Sequence, residues 1–474
     1  MNTTSIASRR MRRRSLTACT VALALVAAAC GGDDEADAPA PAPAAAEEPA
    51  EEPAEEPAEE PAEEPAAAEE PAEEPAAEEP AAEVTAPDNP DQGVTSDEIK
   101  IGYLGDMTGP TASAQSFNAH GADAYFTCAN ERGGILGRQV DYIIEDDQYN
   151  TEKAVTSYTK LTQDDKVLAI HQMGGSGQST TLAPRVIEDQ IPVVGLPQTI
   201  DAQIDNPYMF NNIAHYGDQA DAAWGHMVAD IGAAEDVIVY GISLEVPSGQ
   251  EFAAYVEATV NAGGGTYLGT SYLGLTATEA TAQVQELQNA IDQGANYLTL
   301  HGSPGAALTV VNSMADAGID LPIIGIHGVA SNSIWEQGPA AQTDGMAGMH
   351  SFMTANNDIE AAAEMTRCAA LAGYEGEELI INFAHGFAVA MVLEQAIIKT
   401  AETLGEVTRQ GLTDTLKSQP WESGGITCPM DWTEVNHSPC AAPFTYDAAS
   451  GGMVPLGPFS AYADYLDGVY GIGA

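Results

Sequence analysis

The chain has 474 residues, 44% of them hydrophobic, and sets seventy acidic side chains against sixteen basic ones for a formal net charge of −54. Nucleic acid and anionic lipid surfaces both call for a basic face, so this balance excludes them as partners. Length alone would allow about three domains, but composition shows that part of the chain cannot fold.

At the N-terminus, Arg9, Arg10, Arg12, Arg13 and Arg14 precede an apolar run at 16–29, and Ala27, Ala28 and Ala29 lead into Cys30. A charged start, a short apolar core and small residues mark an export signal at 1–29, too short to span a bilayer. Cys30 stands where a bacterial lipoprotein carries its lipidated first residue, which makes an N-terminal lipid the expected membrane contact. Residues 30–95 read as an acidic tether. Glu-Glu-Pro-Ala units run to Glu83 without an aromatic or basic residue, so nothing offsets the entropy of folding. Proline about every fourth residue also blocks a continuous helix.

Five arginines belong to the leader and twenty-one acids to 31–83, which leaves forty-nine acids against eleven bases in 84–474. That part therefore still carries a net charge of about −38, and self-repulsion on this scale fits a saline habitat.

The folded body alternates strand and helix. A strand at 98–105 (EIKIGYLG) is followed by a helix at 114–132, a strand at 139–146 and a helix at 152–163. Then comes the stretch VLAIHQMGGSGQSTTLAPRVIEDQIPVVGLPQT at 167–199, in which two short apolar runs end in polar turns. Buried parallel strands have this form, and open α/β sheets bind ligands at the carboxyl ends of such strands. Glycines at 174, 175 and 177 permit close approach, the hydroxyls offer donors, and a helix opening at Ser179 adds free N–H groups. This points to a pocket for a small polar or carboxylated molecule.

A second series follows, with strands at 237–242, 266–273, 297–300 and 321–326 and helices at 249–262, 279–292 and 305–317. Two successive α/β sets imply two doubly wound parallel-sheet lobes. Helices at 377–399 and 408–419 come too late for the second set, so the chain is expected to return to the first lobe. That assigns 97–215 plus 352–424 to the N-terminal lobe and 216–351 plus 425–474 to the C-terminal lobe, joined by a hinge.

Four cysteines remain after Cys19 and Cys30. Cys428 and Cys440 flank an apparent hairpin and are paired on that ground. Pairing of Cys128 with Cys368 stays open, Cys128 being also readable as plain core.

Together, IKIGYLGDMTGPTASAQ, GADAYFTCANERGGILGRQVDYIIEDD and KLTQDDKVLAIHQMGGSGQSTTLAPRVIEDQIPVV resemble the branched-chain amino acid binding proteins of ABC transporters, a group of type I periplasmic solute-binding proteins. The matching features are Thr108-Gly109-Pro110, Asn130 with Gly133-Gly134-Ile135 and Gly137-Arg138, Asp146-Asp147, and the serine/threonine turn after the third strand. The resemblance implies two lobes closing on one small solute, without chemistry and without a cofactor or metal. It implies an extracytoplasmic lipoprotein that delivers an amino acid or related compound to an ABC transporter permease; an exported sensor domain of the same fold is the alternative.

Residue by residue, the family's carboxylate-holding turn falls on Ser176, Gly177, Gln178, Ser179 and Thr180, and the following loop on Gln198 and Thr199. In the second lobe His327 stands where an acid normally pairs with the ligand ammonium, Ser303 where an aromatic is common, and Glu245 in a loop without Tyr. A ligand lacking the ammonium therefore becomes competitive, with Glu245 as the residue that could replace the missing acid.

His171, His301 and His327 all fall at expected strand ends. Three separate loops would have to converge for them to bind a metal, and hydrogen bonding to ligand is the stronger reading for His301 and His327. Asp106 reads equally as pocket wall or turn cap. Trp335 and Tyr216 are candidates for the cleft rim, and Met346, Met349 and Met353 read as packing. The glycine loop lacks Gly-x-Ser-x-Gly and the lysine of a phosphate loop, and no catalytic set can be placed, so no enzymatic activity is expected.

Overall fold

The computed structural model describes residues 84–198, 200–438, 440–457 and 460–461. The leader, the lipidation candidate Cys30, the tether up to Glu83 and Thr199 lie outside the described residues.

The first set of elements is β1 (Glu98–Gly105), α1 (Ala112–Glu131), β2 (Gln139–Asp146), α2 (Thr151–Thr159), β3 (Ala169–Met173), α3 (Ser176–Asp189), β4 (Val193–Val194), α4 (Asp201–Ile204) and β5 (Met209–Phe210). Its strands form an all-parallel sheet in the order β2-β1-β3-β4-β5. β1 and β3 are buried along almost their whole length, as strands covered by helices on both faces must be.

The second set is α5 (Tyr216–Ile231), β6 (Ile238–Leu244), α6 (Pro247–Ala262), β7 (Thr266–Leu273), α7 (Thr281–Asp292), β8 (Tyr297–His301), α8 (Pro304–Asp316), β9 (Ile323–Gly325), α9 (Asn332–Gln337), α10 (Ala340–Thr343) and β10 (Ala347–His350). The chain then builds α11 (Ala362–Ala372), α12 (Ile381–Leu404), α13 (Arg409–Leu416), β11 (Cys440–Asp447), β12 (Gly452–Pro455) and β13 (Ser460–Ala461). The second sheet runs β12-β11-β10-β9-β8-β6-β7, with β13 beside β11. It is parallel from β7 to β10 and ends in antiparallel strands.

Helices α11 and α12 pack on α1 although β10 and β11, before and after them, belong to the second sheet. The chain therefore passes between the lobes after β5, after β10 and before β11. These passages are tied to one another: Trp432 Nε1 donates to the Asn211 carbonyl at 2.6 Å, Asn211 N to the Asn436 carbonyl at 2.8 Å, and Asn436 Nδ2 to the Asn206 carbonyl at 2.6 Å.

Helix α12 is long and apolar enough to cross a membrane, yet most of that stretch is buried inside the protein. Glycines set how closely it lies on α1. A Cβ on Gly121 would stand 2.0 Å from the Phe383 carbonyl oxygen, and one on Gly386 1.9 Å from that of Asn118. The two backbones touch there, which lets polar residues of both helices reach the space between the lobes.

Two expectations change. Residues 84–95 are not part of an unstructured tether: Ala86 and Val94 are buried, Val94 bridges to Asn89 and Ile99, and a short turn of helix spans Pro90–Gln92. Their apolar side chains and the carbonyls captured by Arg138 give them what the Glu-Pro repeats lack. The hairpin, too, is not enclosed by Cys428 and Cys440: Cys440 opens its first strand, β11, which pairs with β12. The structure joins Cys428 to Cys440 and Cys128 to Cys368.

Candidate functional site

In each sheet one strand has its two neighbours fed by connections on opposite faces, β1 between β2 and β3 and β6 between β7 and β8. Such a switch point opens a crevice at the carboxyl ends of the strands. The loops leaving β1, β3, β6 and β8 lead into the first turns of α1, α3, α6 and α8, and all four line one cleft, open on one side.

From the first lobe, Thr111, Ala114, Gln115 and Asn118 come from α1, Tyr149 follows β2, and Gly175 and Ser176 open α3. Pro197, Gln198 and Asn382 complete that side. From the second lobe come Tyr216, Leu244, Val246 and Ser248, then His301, Gly302 and Ser303, and finally Ile326, His327 and Gly328. Among these described residues none is Asp, Glu, Lys or Arg.

Carboxylates shape the first-lobe wall from behind. Asp106 accepts from the backbone N–H groups of Gly109 and Thr111 and from the Thr111 hydroxyl, so it is a turn cap and does not face the cleft. Asp146 accepts from Met107 N, Thr108 Oγ1 and Gln148 N, tying the loops after β1 and β2 together. Asp147 accepts from Tyr149 N at 2.8 Å, and burial pushes its carboxyl up to about 7. It steadies a costly backbone, for Gln148 and Tyr149 are both left-handed, with φ of 52° and 54°. The Tyr149 hydroxyl then reaches Ser176.

The glycine loop has its own geometry. Gln172 sits at φ 61° where the β1–β3 register shifts, so the strand end is re-aimed by a bulge. A Cβ on Gly174 would lie 1.7 Å from the Gln115 Oε1 that accepts from Asp106 N, so a side chain here would displace the Gln115 amide from that bond. Gly175, at φ 87°, is the N-cap, and α3 starts at Ser176, three residues before the expected Ser179.

That earlier start redistributes the expected ligand set. Ser176, in the first helical position, lines the cleft, and its Oγ meets Ser248 N of the second lobe at 3.4 Å. Gly177 and Gln178 are not among the lining residues. Ser179 Oγ lies behind the wall, donating to the Met173 carbonyl and accepting from Gln198 Nε2. Thr180 is exposed and bonds back to the Ser176 carbonyl. Glu245 is exposed beside the cleft and so does not supply the missing acid. Gln198, His301, Ser303 and His327 all line it, with Ser303 Oγ also capping α8 by accepting from Ala306 N.

The histidines separate. His171 is buried away from the cleft within β3, between the Tyr142 hydroxyl and the Gly386 carbonyl at 3.0 Å each, so the three do not form one set. His327 is oriented by Gln219 Oε1, which accepts from its backbone N at 3.1 Å and lies 3.3 Å from its Nδ1. His301 is 4% exposed, and neither ring nitrogen has a hydrogen-bond partner. Burial, with His327 nearby, lowers its pKa to about 3, and burial lowers that of His327 to about 4. Both are neutral at ordinary pH.

Tyr216 lines the cleft and reaches Ser248, whereas Trp335 packs between the two cores. Reading the sequence missed Thr111, Gln115, Asn118, Tyr149, Ser248 and Asn382. One signal was available: Thr111, Gln115 and Asn118 are polar at i, i+4 and i+7, a stripe on one face of an otherwise well-buried helix. Nothing in the local pattern marked Tyr149 or Asn382.

A family model described as periplasmic binding protein matches residues 98–451. The Leu/Ile/Val-binding protein homolog 1 of Brucella abortus is 24% identical over 307 residues, which cover 63% of this chain and 78% of that protein. The fatty acid ABC transporter substrate-binding protein from Thermomonospora curvata is similar in structure with a TM-score of 0.71 at 19% identity, over 79% of this chain and 95% of its own. A branched chain amino acid ABC transporter protein from Thermus thermophilus with bound valine gives a TM-score of 0.69 at 17% identity, over 79% and 99%. At these identities the two structures speak for the fold alone.

Proposed function

Because the chain belongs to the periplasmic binding protein family, we propose that it is an extracytoplasmic solute-binding protein that captures a small polar or carboxylated solute between its lobes and hands it to the permease of an ABC importer. The observation that carries this reading is the meeting of four switch-point loops, two from each lobe, around one cleft in which Ser176 Oγ faces Ser248 N. Each lobe holds half of the wall, so a guest that contacts both favours closure. The named ligands of the similar proteins, branched-chain amino acids and a fatty acid, are themselves carboxylates.

The leader and Cys30 support lipid anchoring on the outer face of the cell membrane, with the acidic repeats as spacer. Intact-mass analysis of the mature N-terminus tests that part: an acylated Cys30 is expected, and a free N-terminus at another residue would refute it.

Capture is tested by a thermal-shift screen of amino acids, carboxylic acids, amides and divalent metals on the mature chain. A ligand with micromolar affinity supplied at millimolar concentration adds about 4 kcal/mol of apparent stability, which moves the melting point by several degrees. His327→Ala is expected to weaken the response sharply. If no small solute moves the transition, the capture reading fails.

A further inference from the structure

Within that capture reading, we infer that the solute is a carboxylic acid without an ammonium group, whose second polar group is an uncharged hydroxyl, oxo or amide function held by Asn118 and His301.

The first argument is electrostatic. The N-termini of α1, α3, α6 and α8, each at least thirteen residues long, converge on the cleft. Each turns the positive end of a helix dipole toward the cleft, which favours an anion and opposes a cation, although some of their first N–H groups are already engaged, Ser248 N by Ser176 Oγ and Ala306 N by Ser303 Oγ. An α-ammonium enclosed here would need a carboxylate, and none is available among the described lining residues. Asp106 is taken up by Gly109 and Thr111, and Glu245 points into solvent. Asp201 and Glu251 are gathered around His215 Nε2 at 3.1 and 3.2 Å and do not line the cleft. A buried ammonium without such a partner is strongly disfavoured.

The second argument comes from two side chains that point to a ligand independently. Asn118 is completely buried, and neither its Oδ1 nor its Nδ2 has a partner; both nitrogens of the nearly buried His301 are likewise unpartnered. They belong to opposite lobes and line the same cleft. Buried polar groups are seldom left unsatisfied. A neutral imidazole offers one donor and one acceptor, and a carboxamide offers both, which suits an uncharged hydroxyl or carbonyl and gives an ammonium no counter-charge. Around them Ala114, Leu244, Val246 and Ile326 supply an apolar lining for the body of the acid.

The test uses matched sets on the mature chain by isothermal titration calorimetry: leucine, its hydroxy acid and isocaproate, and phenylalanine, phenyllactate and phenylpropionate, with the amide of each deaminated acid. At least one hydroxy or deaminated acid is expected to bind at least tenfold more tightly than its amino acid, and its amide at least tenfold more weakly. His301→Ala and Asn118→Ala are each expected to weaken the hydroxy acid more than the deaminated acid, so that the preference between the two is lost. Equal or tighter binding of the amino acids overturns the inference and leaves capture intact. Failure of the acids while other solutes bind also overturns only the inference, whereas silence across the whole screen overturns both.

Discussion

Acid should destabilise this protein through its histidines. His171, His301 and His327 are buried neutral, with burial lowering their pKa values to about 4, 3 and 4, and burial sets His350 and His385 well below the ordinary value of 6.5. In the unfolded chain each titrates near 6.5, so below that pH the unfolded state binds protons that the native state does not, and stability falls as pH falls. Each such group costs about 1.4 kcal/mol per pH unit until its folded pKa is reached. Between pH 7 and pH 5 that is about 2 kcal/mol for each of His171, His301 and His327, or about 6 kcal/mol for the three, with His350 and His385 acting in the same sense.

Two carboxyls oppose the loss. Burial raises Asp147 to about 7 and Asp221 to about 6, so they take up protons in the folded state in the same window and return about 4 kcal/mol. His215, raised by Glu251, Asp218 and Asp201 against its own burial, acts in the same sense. Against the three histidines with the largest defined shifts this leaves a net loss of about 2 kcal/mol, to which His350 and His385 add, a sizeable part of the stability of many domains. Urea unfolding at pH 7 and pH 5 measures it directly, and Asp147→Asn should steepen the dependence by removing one returning proton. An unfolding free energy at pH 5 equal to or above that at pH 7 would refute the reasoning.

Other perturbations reach different parts of the structure. Gly121→Ala drives a methyl group onto the Phe383 carbonyl at the α1–α12 crossing and should cost about 3 kcal/mol or more in chemical denaturation. Cys128→Ser with Cys368→Ser opens a link across 240 residues and should lower the unfolding free energy by about 4 kcal/mol; equal midpoints for oxidised and reduced protein would contradict it. Added sodium chloride should raise the melting temperature by screening the forty-nine acids of 84–474, and a flat or falling response counts against self-repulsion. Ser176→Ala removes the hydroxyl facing Ser248 N and should weaken solute binding by about tenfold, the worth of one good hydrogen bond, with the melting point of the empty protein little changed.

Short apolar runs bounded by turn residues marked the strands well, whether buried like β1 or half-exposed at a sheet edge like β2 and β7: EIKIGYLG, QVDYIIED and TYLGTSYL occupy 98–105, 139–146 and 266–273 as read. The same reading misjudged where α3 begins, since a left-handed glycine cap looks in sequence like a loop that continues, and that slip put Thr180 into the site and out of reach of it. The cleft walls that were missed depend on contacts over long separations. Asn382 and Asn118 belong to one cleft only because Gly121 and Gly386 bring α12 against α1, and Tyr149 only because Asp147 holds two left-handed residues in succession. Side-chain partners of this kind leave no periodic trace.

Arg138, nearly buried, donates through Nε to the Thr95 carbonyl and through Nη2 to the Ala86 carbonyl, both at 2.5 Å. Gly93 lies against Lys166 and Leu168, just ahead of β3, so the stem is clasped at the amino ends of the strands, opposite the cleft. Residues 84–95 are thus fastened to the first lobe, on the side away from the loops that line the cleft.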